Sequence, residues 1–441
     1  MIQLNEGQSV ALSEILAAHA RKEAMHVLTG NAGTGKTTLM QAVVKALQEE
    51  GRRVAVCAPT HKAVRVIASK LAAAGIEVSF IGTIHSFLGL KIQVDGEKTK
   101  LRKSGKSMKN DADTVICDEC SMLGEELTRI MREELDRHFV LFLGDPAQLP
   151  PVGEHHSPTF DILSRSHLGT IVRQAAGNPI ITASQMLREC QDQQRVRWDW
   201  AREVTAGEYG IYHVPSSELD DWLHAEFTSD EFKRDNDGVR YLCYTNKQVA
   251  AINTKIRRWI WGDTPTPFVE GELAICRQPV MHEGGIAFST NEEVMVQGIE
   301  EHQEVFRFDA LPAGARGREL RSWQYEMMMW KVYLGDNSIP AIIPRYDQQY
   351  TELMTMLANE AKENSARWYE RFQVQERVSR LQHVYALTAH TSQGSTFGRV
   401  FMDIPDMRLC GNYDPVDMLK LFYVGVTRPT HAVALVGNVP A

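Results

Sequence analysis

Residues 30–37 read Gly-Asn-Ala-Gly-Thr-Gly-Lys-Thr, set between an apolar run, Met25–Thr29, and a stretch with helical spacing, Thr38–Glu50. A strand, a glycine-rich loop and a helix in that order restrict the fold more than any other feature of the chain. The glycines let consecutive backbone N–H groups curl round a phosphate, and the helix N-terminus adds positive potential there. Lys36 is spaced to reach the β and γ oxygens of a nucleoside triphosphate, and Thr37 to ligate Mg²⁺. The pattern predicts a phosphate cradle made of Gly30, Asn31, Ala32, Gly33, Thr34, Gly35, Lys36, Thr37 and Thr38.

Such a cradle needs an acidic partner, and Thr114-Val115-Ile116-Cys117-Asp118-Glu119 supplies one. The apolar strand delivers Asp118 to the Mg²⁺ shell, and Glu119 can orient and deprotonate an attacking water. An isolated Asp-Glu pair reads as surface charge. At the end of a buried strand downstream of a phosphate loop, it reads as catalytic.

The N-terminal third continues with apolar runs at Arg53–Ala58, Thr114–Cys117 and Phe139–Gly144, separated by helical stretches. That alternation predicts a parallel sheet covered on both faces. A second alternating region has strands near Val239–Tyr244, Val400–Asp403 and Ala432–Val436, so far apart that a module must lie between them. The insertion, 254–380, opens with Pro265 and Pro267. Short strands follow at Leu273–Arg277, Glu293–Gln297, Val305–Phe308 and Trp323–Leu334, and the pattern turns helical from Asp347 to Leu381. It predicts a small β-rich module with helices after it.

At 441 residues, 43% apolar and 24% charged, the chain has the make-up of a globular protein with several cores. The opening MIQLNEGQ has no export pattern and no apolar run reaches membrane-spanning length. A cytoplasmic protein without membrane contact is expected. Cys117 and Cys120 form a CxxC, but no second pair stands at zinc spacing, so they read as incidental neighbours of Asp118. A net charge of −8 excludes a wholesale polyanion coat, not a local groove. Residues 91–109 offer such a place, with Lys91, Lys98, Lys100, Arg102, Lys103, Lys106 and Lys109 against Asp95 and Glu97. A solvated loop and a nucleic-acid contact fit that run equally.

Phe139–Gly144 runs into Asp145-Pro146-Ala147-Gln148-Leu149-Pro150-Pro151-Val152, which resembles motif III of the superfamily 1 helicases. Ala58-Pro59-Thr60-His61-Lys62-Ala63 resembles motif Ia and Thr83-Ile84-His85-Ser86 motif Ib. The runs 388–397 and 423–428 resemble motifs V and VI, and Leu4-Asn5-Glu6-Gly7-Gln8 the upstream glutamine motif that reads adenine. In family order these motifs span residues 4 to 428. Gln148-Leu149-Pro150-Pro151 and Gln393-Gly394 resemble the RecD-like branch, in its Dda-like group, which moves 5′ to 3′. The Rep/UvrD-like branch has an aromatic-rich sequence and a Lys-Gly at those places.

The resemblance implies an α/β fold of two RecA-like lobes with parallel sheets, ATP and Mg²⁺ between them, and single-stranded DNA across their tops. The first lobe would be 1–88 and 113–174, interrupted by a small basic hairpin insertion, 89–112. The second would be 175–253 and 381–441, interrupted by a β-rich, SH3-like insertion, 254–380. Gln8 would read adenine, and Gln393 and Gly394 would approach the nucleotide. Gln148 would sense the γ-phosphate, and Arg173 and Arg428 would enter as arginine fingers when the cleft closes.

On the DNA side the resemblance implies Pro59, Thr60, His61, Lys62, Thr83, His85, His390 and Thr391, holding phosphates and stacking on bases without reading sequence. The hairpin would be the pin that splits duplexes. Val94-Asp95-Gly96-Glu97 carries an Asp-Gly turn signal, with Lys100, Leu101, Arg102 and Lys103 following it and Leu101 near the tip. No aromatic lies between Leu90 and Asp113, which departs from the family. Trp368, Tyr369 and Phe372 stand at helical spacing and read first as core, with Trp368 kept as a base platform.

The implied activity is an ATP- and Mg²⁺-dependent DNA helicase of replication, recombination or repair. It would act as a monomer on single strands and their junctions with duplex, with replication or recombination proteins as partners. Two rivals remain: an RNA helicase of the same superfamily, and the motor subunit of a larger nuclease complex.

Overall fold

The computed structural model describes residues 3–95, 98–103, 105–151, 153–170, 178–207, 209–283, 285–313 and 317–440. The chain divides into two compact units. One comprises Met1–Gly89, Gly105–Ile260 and Tyr385–Ala441, the other Leu90–Ser104 and Trp261–Val384.

The first unit opens with α1 (Glu6–Ala20), closed by a reciprocal box in which Asn5 caps the Gln8 N–H and the Gln8 side chain caps that of Asn5. Next come β1 (Met25–Gly30), α2 (Lys36–Glu49), β2 (Val54–Ala58), α3 (His61–Ala73), β3 (Phe80–Thr83) and α4 (Ile84–Leu88). The hairpin β4 (Leu90–Asp95) and β5 (Lys98–Lys103) interrupts the unit, and β6 (Thr114–Cys117), α5 (Glu125–Glu134), β7 (Phe139–Gly144) and β8 (Arg165–Leu168) resume it. The strand order is β3-β2-β6-β7-β1-β8, with every neighbouring pair parallel. β2, β6 and β7 are buried at every residue, as unbroken apolar runs are when both faces of a parallel sheet are covered.

The second sheet of this unit uses α6 (Pro179–Asp192), β9 (Val204–Ala206), β10 (Tyr209–Val214), α7 (Leu219–Phe227), α8 (Asp230–Arg234), β11 (Val239–Cys243) and α9 (Asn246–Trp261). The chain then passes through the second unit: β12 (Leu273–Cys276), β13 (Val280–His282), β14 (Gly285–Phe288), β15 (Glu293–Phe308), β16 (Trp323–Leu334), β17 (Ile339–Pro344), α10 (Asp347–Glu363), α11 (Arg367–Arg377) and β18 (Leu381–His383). It returns with β19 (Ala386–Thr388), β20 (Phe397–Asp403), α12 (Ile404–Met407), α13 (Pro415–Thr427) and β21 (Pro429–Val436). The order β19-β11-β20-β21-β10-β9 is parallel except at the β9 edge.

In the second unit β17-β16-β15-β12-β18 form an antiparallel sheet. The two runs at 293–297 and 305–308 are one 16-residue strand, bulged between Val296 and Gly298. Its polar middle hides the continuity. Glu304 there is buried and pairs with His302 at 3.1 Å and Arg377 at 2.7 Å. Phe306, Phe308, Met327 and Met329 pack against Leu353 and Leu357 of α10 and Val374 of α11.

α11 turns Arg367 and Val374 inward, which leaves Tyr369 65% exposed and Trp368 and Phe372 half-buried. The aromatic stripe is therefore not core. Arg367 takes the inward place, paired with Glu360 at 2.8 Å and with Glu370.

The hairpin pairs Leu90 with Lys103 through to Asp95 with Lys98. Gly96 and Glu97 of the turn signal lie outside the described residues. Leu101 pairs with Ile92 in mid-strand and not near the tip, because the pairing continues beyond it as far as Asp95 and Lys98. Lys100 and Arg102 belong to the same strand β5, and Lys103 is exposed. At the hairpin base, Gly105 N–H donates to the Gly89 carbonyl at 2.9 Å. Gly89 has φ +67°, and a Cβ on it would stand 2.6 Å from the Gly105 oxygen.

Candidate active site

Because β6, β7 and β1 are neighbours in one sheet, the loops that follow them meet. These are Asp118-Glu119, the run beginning at Asp145, and the glycine-rich loop. With Gly394, Ser395, Thr396 and Arg428 they line a cavity of about 620 Å³. Gln8, Ala32, Gly33, Thr34, Gly35, Lys36, Thr37, Thr38 and Gln148 are all on its wall. Gly30, Asn31 and Gln393 are not. The Gln393 amide instead donates to the Leu149 carbonyl at 3.3 Å.

Gly33 and Gly35 both have φ of +80°, where side chains are strained. A Cβ on Gly30 would stand 2.8 Å from Thr34 Oγ1 and 3.0 Å from Leu168. α2 has no side-chain cap, so its first N–H groups need an external acceptor. Lys36 Nζ folds across the loop and donates to the carbonyls of Gly30 at 2.7 Å and Asn31 at 3.0 Å. Gln8 Nε2 donates to Thr34 O at 3.2 Å, tying α1 to the loop.

Glu119 has φ 54° and ψ 41°, a left-handed backbone that costs a non-glycine residue about 1–3 kcal/mol. The turn sends its N–H to Asp118 Oδ1 at 2.8 Å. Burial raises the pKa of Asp118, opposed by that N–H and by Lys36 and Lys70. Burial and then the Asp118 charge raise the pKa of Glu119, opposed by Arg428 and Lys36. A carboxylate and a hydroxyl, Asp118 and Thr37, are hard oxygen donors that suit Mg²⁺ beside phosphate oxygens. All seven cysteines are buried and free, and Cys120 packs over Gly144, where a Cβ would stand 2.5 Å from its sulfur. Among the described residues no group of three or more His, Cys, Asp or Glu surrounds a metal position.

Gln148 Oε1, Asn31 Oδ1 and Ser395 Oγ are buried without a hydrogen-bond partner. Buried polar atoms left so are rare, and two of these side chains face the cavity wall. Arg428 is 6% exposed and held by the carbonyls of Val424 and Ser395 and by the Thr427 hydroxyl, each at 3.2 Å. Arg173 lies outside the described residues.

Pro59, Thr60, His61 and Lys62 lead into α3, where Thr60 caps the Ala63 N–H at 3.2 Å. Thr83 caps α4 and bonds Ser86 Oγ at 2.9 Å, and the Thr391 hydroxyl bonds that of Thr388 at 2.9 Å. These threonine side chains are engaged in their own turns. Burial, then the His61 charge, lowers the pKa of His85, and burial lowers that of His390. Both are neutral imidazoles near pH 7, suited to stacking and not to ion pairing. His390 lies 6.2 Å from the Tyr244 ring, and Lys62 Nζ 6.0 Å from that of Phe397.

Sequence reasoning assigned no role to Lys70, Ser395 or Thr396, which also line the cavity. Lys70 was findable: Ala63, Val66, Ile67 and Lys70 share one helical face.

Two family descriptions match the chain: an AAA domain over residues 3–204 and a UvrD-like helicase C-terminal domain over residues 383–436. The chain is 27% identical to the ATP-dependent DNA helicase Dda of Enterobacteria phage T4, over 98% of each chain. It is 33% identical to the ATP-dependent RecD2 DNA helicase of Deinococcus radiodurans over 185 residues, 41% of this chain and 23% of that protein. The fold matches the crystal structure of Bacteroides Pif1 helicase in complex with ADP-AlF3 and ssDNA, with a TM-score of 0.50, 16% identity and coverage of 98% and 92%. A nucleotide-sized cavity is thus walled by both parallel-sheet lobes, and the chain is homologous along almost its whole length to the phage Dda helicase, as the superfamily 1 resemblance of its motifs leads one to expect.

Proposed function

We infer that the chain is an ATP-dependent DNA helicase that moves along single-stranded DNA, acting in replication, recombination or repair. One observation carries this: Glu119 and Gln148 from one lobe and Arg428 from the other line the same cavity as the phosphate loop. Hydrolysis at such a place depends on how the lobes stand, which is what a motor requires. Lys36 releases the Gly30 and Asn31 carbonyls to take up the β and γ oxygens. Mg²⁺, held by Thr37 and Asp118, would neutralise phosphate charge. Glu119 accepts the proton of the attacking water, Gln148 orients that water, and Arg428 stabilises charge on the transferring phosphoryl group. Gln8 reads the base.

His85 and His390 offer the strand neutral rings, His61 stands at the start of α3, and the capped starts of α3 and α4 offer backbone N–H groups. Movement is 5′ to 3′ by resemblance to the branch. Duplexes carrying only a 5′ or only a 3′ single-stranded tail test it, with displacement expected from the 5′ tail alone. Efficient displacement from a 3′ tail would reverse the polarity. Stimulation of ATP hydrolysis by poly(dT) well above that by poly(U) is expected of a DNA enzyme.

The hairpin β4–β5 is proposed as the pin that parts the strands, using charge in place of an aromatic tip. Replacing Val94–Lys106 by a short Gly-Ser turn should cut unwinding by about tenfold or more, the effect of losing a few charge-assisted contacts. ATPase stimulated by single strands should stay within about twofold, well inside one such contact. Equal loss of both activities in a folded variant would place the segment on the single-strand track instead.

A further inference from the structure

Asp145 follows β7 and is fully buried, and both its carboxylate oxygens are engaged. Oδ1 accepts from Arg188 Nη1 at 2.7 Å and from the Ala147 N–H at 3.1 Å. Oδ2 accepts from the Tyr423 hydroxyl at 2.6 Å. Arg188 is on α6 and Tyr423 on α13, helices that pack together beside the second sheet. The guanidinium lies 5.7 Å from the Tyr423 ring centre. Two side chains of one lobe thus grip a carboxylate of the other. A buried carboxylate stripped of such partners is costly, which makes the grip obligatory while this arrangement lasts.

The Tyr423 hydroxyl does more than donate. It accepts from the Ala32 N–H of the phosphate loop at 3.2 Å, and Ala32 lines the cavity. A phosphate entering the loop and the Tyr423 oxygen therefore draw on the same N–H. The two ends of the network also lead to the reacting centre. Gln148 N–H closes a turn on the Asp145 carbonyl at 3.1 Å, and Arg428 ends the helix that carries Tyr423.

We propose that Tyr423, clamped by Arg188 onto Asp145, is a positioning residue that fixes Gln148 and Arg428 relative to each other and links filling of the phosphate loop to the stance of the two lobes. Neither Tyr423 nor Arg188 touches the γ-phosphate in this role. Their work is to set the distance between groups that do. The proposal rests on the ATPase reading above.

The test uses the full chain and compares wild type with Tyr423→Phe, Arg188→Lys and Arg188→Ala, with poly(dT) present and absent. Tyr423→Phe keeps the buried ring and removes only the hydroxyl. Its kcat with poly(dT) should fall by about tenfold, an ordinary coupling within one buried network. Its KM, and its affinity for a fluorescent ATP analogue, should stay within about threefold, since no phosphate contact is lost. Arg188→Lys should keep more turnover than Arg188→Ala. Adding Tyr423→Phe to Arg188→Ala should cost little more, because the two act as one device. Wild-type kcat in Tyr423→Phe, losses that simply multiply, or a loss shared equally by kcat and analogue binding would overturn the proposal. A wild-type chain that poly(dT) fails to stimulate would instead overturn the helicase reading, and that control is read without any variant.

Discussion

Glu119→Gln should lower DNA-stimulated ATP hydrolysis by about 10²–10⁴-fold, the range for removing a positioned general base. Binding of ATP should survive, because Gln leaves Lys36, Thr37 and Asp118 in place. Two features make the substitution clean. Gln tolerates the left-handed backbone at this position no worse than Glu, and it removes a charge that burial first and then the Asp118 carboxylate disfavour. The melting temperature should therefore hold or rise. The variant should trap nucleotide and remain on single-stranded DNA, measured by retention of labelled ATP and by gel shift. Near-normal turnover would remove Glu119 from the role of base.

Arg428→Ala should cost about 10³–10⁵-fold in turnover, the range for losing an arginine finger. ATP affinity should change little, because the guanidinium acts on charge that develops only as the bond breaks. The side chain is already pre-placed by Val424, Ser395 and Thr427, and its charge already reaches Glu119. Arg428→Lys should rescue poorly, since an ammonium cannot make the same forked contacts. Single-turnover hydrolysis with saturating DNA is the decisive measurement. A wild-type rate there would leave Arg428 with a structural role only.

The strands beside the cavity were legible because a doubly covered parallel strand is buried along its length, and 139–144 and 115–117 are unbroken apolar runs. The acidic pair was legible because the motif that defines it is local. Other features were not. The strand Glu293–Phe308 looked like two because its middle faces outward on one side and hides a buried Glu304 on the other. The α11 aromatics looked like core because periodicity does not say which stripe turns inward, and Arg367 took that place. The Tyr423–Asp145 bond joins residues 278 positions apart, which no local pattern announces. The capping roles of Thr83 and Thr388 had a usable signal, a hydroxyl partner three residues on in Thr83–Ser86 and Thr388–Thr391.

The paired glycines at 89 and 105 make the base of the hairpin a narrow port. The outgoing and returning chain are joined there by the Gly105–Gly89 hydrogen bond and, one step further in, by that of Met108 N–H to the Phe87 carbonyl, and Gly89 and Gly105 stand too close for a side chain to come between them. Such a port confines the hairpin to the chain between two glycines, so the segment can be exchanged as a cartridge. A longer ribbon, or one with a tryptophan at its turn, could be grafted between Gly89 and Gly105 without rewriting the ATP-binding lobe. Variation among related motors in how forcefully they open duplexes could then arise at this port, while the engine behind it stays the same.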